Sequence, residues 1–186
     1  YKLGIIYNYK NRLRIKIYDA IKGKTTRYTI PENRFDRVLS VTFMEDDDMI
    51  VLSAIRKGQS DLFEYRLKGG RMTQVTDDAW DDLQPIFVSG GSRKGIVFLS
   101  NRTEPFINIK PLPNELPGGQ MNAFFYNATT KSMDLLPITR WKNGAISHVI
   151  PYGFDNFAFL SDVSGVSNRY AVIFGRDKNN MDSAYA

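Results

Sequence analysis

The chain has 186 residues, 42% of them hydrophobic, with a net charge of +5, one histidine and no cysteine. That composition is globular, and it excludes disulfides, thiolate metal centres and cysteine catalysis. The longest apolar runs, such as Ile96–Leu99, are a few residues long, so no direct membrane insertion is expected. The charge is uneven: residues 1 to 38 carry ten Lys/Arg against three acids, and residues 44 to 82 carry five against ten. Arg12, Arg14, Lys16 and Arg27 alternate with apolar or aromatic residues, which is the pattern of a solvated strand face. With no groove-entering helix or recognised motif, and with acid-rich loops following, no nucleic-acid partner is expected.

In chain order, strands are predicted over Leu3–Tyr7, Leu13–Tyr18 and Thr25–Ile30, with Asp19–Lys24 as a hairpin turn. Val38–Phe43, Met49–Ala54, Asp61–Leu67 and Met72–Val75 follow as a meander with short polar turns, Glu45–Asp48 among them. Gln84–Val88, Gly95–Leu99, Ala123–Asn127 and Leu135–Ile138 form another set of four. The pattern resumes with Ile146–Pro151, Asn156–Leu160 and Arg169–Ile173. No segment keeps a 3.6-residue apolar period beyond a turn or two, so the chain reads as all-β. It begins at Tyr1 inside a predicted strand and without an initiating Met, and is read as a fragment of a longer protein.

The sets repeat. Met49–Arg56 aligns with Gly95–Arg102 at a spacing of 46, and Asn156–Asp162 repeats the theme 61 residues further on. Tyr18-Asp19, Tyr65-Arg66 and Tyr126-Asn127 each close a third strand ahead of a polar turn. The longer last spacing comes from a Pro-rich insertion, Thr103–Met121. A period in the forties with four strands per unit marks a β-propeller of four-stranded antiparallel blades. The expected organisation is a partial ring of about three to four blades. It comprises blade remnants over residues 1–30, a blade at 38–76, a blade at 83–138 carrying the insertion 103–121, and a partial blade at 145–174. Such an open array exposes apolar faces and strand edges, so further blades of the same protein or self-association are expected to cover them.

The stretch Thr76–Phe87 and its continuation Ser89–Arg102 resemble the repeat of TolB-like propellers of the PD40/WD40 type. Asp82, Pro85, Phe87, Ser89, Ser100, Asn101 and Arg102 match that repeat, while Gly90 and Gly91 stand where it has Pro and Asp. The resemblance implies a non-catalytic scaffold that binds other proteins in the bacterial periplasm or cell envelope. Similar repeats build the propellers of prolyl-oligopeptidase-like peptidases, so the alternative is a propeller that gates or supports a hydrolase outside this segment.

Asp82 and Arg102 are expected to tie the loop between units, as a hydrogen-bonded structural pair. The acids Asp77, Asp78, Asp81 and Asp82 also invite a Ca²⁺ reading, as the lesser alternative because their spacing is not that of an EF-hand. No cofactor is otherwise implied. His148 has no Ser or Asp motif beside it, and G-x-S-x-G, H-E-x-x-H, P-loop and dinucleotide patterns are absent, so catalysis in this segment is not expected.

In a propeller, the loops between blades share one face with the loops joining second and third strands. That face would collect residues 31–37, 56–60, 77–83, 103–121, 139–144 and 162–168. It carries Arg34, Phe35, Trp80, Asp81, Arg102, Phe106, Arg140 and Trp141, an aromatic and Arg-rich set of the kind found at interface hot spots. The competing reading packs Trp80 and Trp141 between blades.

Overall fold

A computed structural model of the chain describes residues 2–10, 12–31, 33–45, 48–90, 93–110, 118–153, 155–176 and 182–185. Of the sequence expectations, Asp46 and Asp47 in the acidic turn, Gly91 in the hairpin turn and residues 111–117 of the insertion lie outside them.

Fifteen strands make up the regular structure, with no helix among the described residues. β1 (Lys2–Tyr9), β2 (Arg12–Asp19) and β3 (Lys24–Ile30) form a three-stranded sheet. β4 (Arg37–Phe43), β5 (Met49–Arg56), β6 (Gln59–Arg66) and β7 (Met72–Gln74) form the next. The third contains β8 (Asp82–Gly90), β9 (Arg93–Ser100), β10 (Asn122–Asn127) and β11 (Leu135–Pro137). The last contains β12 (Ile146–Pro151), β13 (Asn156–Ser161), β14 (Asn168–Arg176) and β15 (Asp182–Tyr185). Every sheet is a sequential antiparallel meander, the arrangement of propeller blades. The sequence pattern gave the last unit three strands, and β15 corrects that to four; its Asp-Ser-Ala-Tyr run has no apolar stretch to announce it.

Core forms between sheets, because the middle strands are apolar on both faces. Ile50, Leu52 and Ala54 of β5 point toward Ile15, Ile17 and Ile30 of the first sheet, while Val51 turns the other way, toward Ile96 and Phe98 of β9. Val97 and Leu99 then face Phe157, Phe159 and Val172 of the last sheet. A strand buried on both sides reads as a continuous apolar run, which is why β5 and β9 stand out in the sequence.

The first strands of the last three sheets lie side by side. The Phe87 N–H donates to Thr42 Oγ1 at 3.3 Å, and the His148 N–H donates to Gln84 Oε1 at 3.0 Å. Each of β4, β8 and β12 carries a register shift, and in β8 and β12 a residue with positive φ sits at it, Gln84 at 49° and His148 at 53°. A bulge adds one residue and increases local twist, which bends these strands. His148 is exposed and holds its place through its backbone.

Candidate binding face and its buried carboxylate seam

At one end of the sheets, short side-chain ties recur from blade to blade and hold the connecting loops to their own strands. Asn101, just after β9, accepts the Asp81 N–H at 2.8 Å, and Asp162, just after β13, accepts the Ala145 N–H at 2.6 Å. Thr76 Oγ1 accepts the Leu62 N–H at 2.9 Å, and Thr139 Oγ1 accepts the Ala123 N–H at 2.8 Å. Thr76 and Thr139 replace a ladder bond where the outer strand has ended, and Asn101 and Asp162 do the same just ahead of the first strand, so these N–H groups keep a partner. Asp19 and Asn127 act alike in their turns, each accepting two backbone N–H groups through Oδ1.

Between the second and third sheets the ties condense into a charged seam. Both Asp82 carboxylate oxygens accept from Arg102 Nη2, at 2.8 and 2.9 Å. Arg102 Nη1 donates to Asp78 Oδ2 at 3.3 Å and to the Phe106 carbonyl, and Nε donates to Ser100 Oγ at 3.0 Å. The guanidinium lies within 6.0 Å of the ring centres of Trp80, Phe98 and Phe124, so its faces are covered by π surface while its edge serves the acids.

This geometry corrects two expectations for the binding face. Trp80 is 5% exposed and Arg102 3% exposed, so both line the interior of the seam, because the guanidinium is fully engaged and the indole covers it. Asp81 is exposed but tied, accepting from Ser60 Oγ. Phe35 packs edge-on against Phe63 at 4.9 Å, and Arg34 is half-buried. Trp141 is half-buried, edge-on to Phe159 at 5.2 Å and to Tyr170 at 4.7 Å. Phe106 and Arg140 are exposed. Of the repeat residues, Pro85 is buried beside the β8 bulge and Phe87 packs on the core between the second and third sheets.

Nor do the four loop acids cluster together. The Asp77 N–H donates to Asn108 Oδ1 and its carboxylate accepts from Gln74. The close set is Asp61, Asp78 and Asp82, whose oxygens lie within 4.8 Å of one another. Asp61 is contributed by β6, and the sequence reading treated it only as a strand start. Burial raises its pKa to about 7, reinforced by the charges of Asp82 and Asp78 and only partly offset by the Asp78 backbone N–H. Burial also raises Asp82, to about 6, against the pull of Arg102.

Two cavities open on the same end of the molecule. One, of about 560 Å³, is lined by Thr103, Pro105, Gly119, Gln120, Arg140 and Trp141 among others, beside the described ends of the insertion. The other, also about 560 Å³, has Asp61, Asp77 and Asp78 in its wall.

Four blade-like meanders stacked through their faces define the chain as part of a β-propeller. Its fold is that of TolB: the crystal structure of TolB from Acinetobacter baumannii is similar over 98% of this chain at a TM-score of 0.64 and 15% identity. The chain spans 40% of that protein's length. The crystal structure of the tricorn protease is similar over 95% of this chain and 15% of its own, at a TM-score of 0.52 and 16% identity. No protein-family model and no curated protein matches the sequence.

Proposed function

We propose that the chain is a non-catalytic propeller scaffold of the bacterial cell envelope that binds a protein partner through its loop face. The observation that carries this reading is the cavity between the insertion and the β11–β12 loop, where Pro105, Pro137 and Trp141 offer apolar surface and Arg140 and Lys142 supply charge at the edge. Concave, mostly apolar sites with a few convergent polar groups are where peptides and side chains anchor. The likeness to TolB supports the envelope setting. The likeness to the tricorn protease supports the alternative, a propeller attached to a hydrolase in a longer polypeptide.

The test is a photo-crosslinking amino acid placed at Arg140 or Phe106, with Lys22 at the opposite end of the blades as the control. A partner captured from the envelope fraction at Arg140 and Phe106 but not at Lys22 supports the reading. Equal capture at all three positions, or none at Arg140, contradicts it.

A further inference from the structure

The repeat shows what the position of Asp61 needs structurally. Asn122 occupies the equivalent place in the next sheet: each precedes the residue whose N–H is accepted by the threonine hydroxyl. Asn122 Oδ1 accepts from Thr139 Oγ1 and the Trp141 N–H, both at 2.9 Å, and its Nδ2 donates to the Trp141 and Gln120 carbonyls. A neutral amide thus completes the tie. Asp61 brings a carboxylate instead: Oδ2 accepts from Gln74 at 3.1 Å and the Asp78 backbone N–H lies near the carboxylate, while Oδ1, fully buried, makes no hydrogen bond of good geometry with the described residues. Asp61 is only 3% exposed, so an unpaired oxygen there is costly.

The charges around it do not close. Asp61, Asp78 and Asp82 face Arg102, the one cation paired with any of them among the described residues, which leaves two negative charges over if all three acids ionise. One divalent cation would balance them. The geometry allows it: oxygens within 4.8 Å of one another can share an ion that bonds oxygen at roughly 2.3–2.6 Å. A wall of the adjoining cavity is formed by Asp61, Asp77, Asp78 and Gln59, so water can complete the oxygen shell from that side. Arg56, Lys57 and Lys110 also line this cavity, which confines the negative charge to its floor.

We infer that Asp61, Asp78 and Asp82 form the protein side of a binding site for a hard divalent cation of the calcium type, opening to the loop face. Asp61 supplies the unpaired oxygen, and Arg102 fixes the other two carboxylates in place. The site locks the loop between the second and third sheets from within and does not depend on the protein-binding reading of that face.

Trp80 provides the probe, since its ring lies beside Arg102 and can sensitise a lanthanide held by the three acids. Chelator-treated full-length protein is titrated with Tb³⁺ and, calorimetrically, with Ca²⁺. The expected result is saturable emission at one Tb³⁺ per chain, reversed by excess Ca²⁺, and a Ca²⁺ binding heat. Trp80→Phe should lose the emission and keep the heat. Asp61→Asn, a residue the fold already accommodates at the equivalent position of the next blade, should weaken binding at least about tenfold because it removes a charged ligand. Asp81→Asn should leave it unchanged. Absence of Ca²⁺ heat in the wild-type protein overturns the inference whether or not the variants fold. So does a carboxyl titration of Asp61, followed by NMR, that Ca²⁺ does not shift, since the orphan oxygen would then be satisfied by a proton alone.

Discussion

At the scale of single residues, Arg102 is the most connected side chain of the seam. It neutralises Asp82, reaches Asp78, and caps the Phe106 carbonyl with its edge while three aromatic rings cover its faces. Truncating one partner of a buried ion pair is costly because the other is left charged and dry. Arg102→Leu is therefore expected to lower stability by about 3–5 kcal/mol, measured by urea denaturation. Asp82→Asn in the same chain should recover part of that loss, and a double mutant no more stable than Arg102→Leu would show that the cost lies in packing against the rings instead. Arg102 and Asp82 are legible in the sequence because they stand at fixed places in a repeat. Asp61 is not, since it looks like the polar start of an ordinary strand; its alignment with Asn122 becomes meaningful only once Thr76 and Thr139 are seen doing the same work.

At the scale of elements, the strands follow directly from pattern. β5, β9 and β10 are continuous apolar runs because each is buried on both faces, and runs of that kind bounded by turn residues are visible without a structure. The bulges are less visible, since an added residue changes register without changing composition, and only Pro85 marks one of them. Gly95 shows how closely β9 and β10 approach. A Cβ there would sit 2.0 Å from the Tyr126 carbonyl oxygen and 2.7 Å from the Phe125 ring. Backbone cannot yield as a flexible side chain can, so Gly95→Ala should cost at least about 1–3 kcal/mol through overpacking. The same change at Gly58, where nothing lies within 4 Å, carries only the strain of its positive φ of 82°. Equal losses at the two sites would sink the close-packing argument.

At the scale of the whole molecule, the two terminal sheets present unlike faces. On the first, Leu3, Ile5, Tyr9 and Tyr18 are exposed, and the strand register puts Arg12, Arg14, Lys16 and Arg27 on that same face. Arg14 lies over the Tyr9 ring at 4.5 Å. On the last, Ile150 and Ile173 are exposed and share a face with Ala158, Ala171 and Arg169. Apolar faces of this kind drive association when no neighbouring blade covers them. Two copies meeting through their first sheets would oppose four cations to four, which screening by salt relieves only in part. The last sheet is nearly uncharged and meets no such penalty. The isolated 186-residue chain should therefore self-associate, and Ile173→Lys should raise its monomer fraction more than Ile5→Lys, because the first adds a charge where there is one and the second adds to a face already repelling its like. Sedimentation velocity across a concentration series distinguishes the two. A wild-type chain that stays monomeric at every concentration, or equal effects of the two substitutions, would mean that the last sheet does not drive the contact.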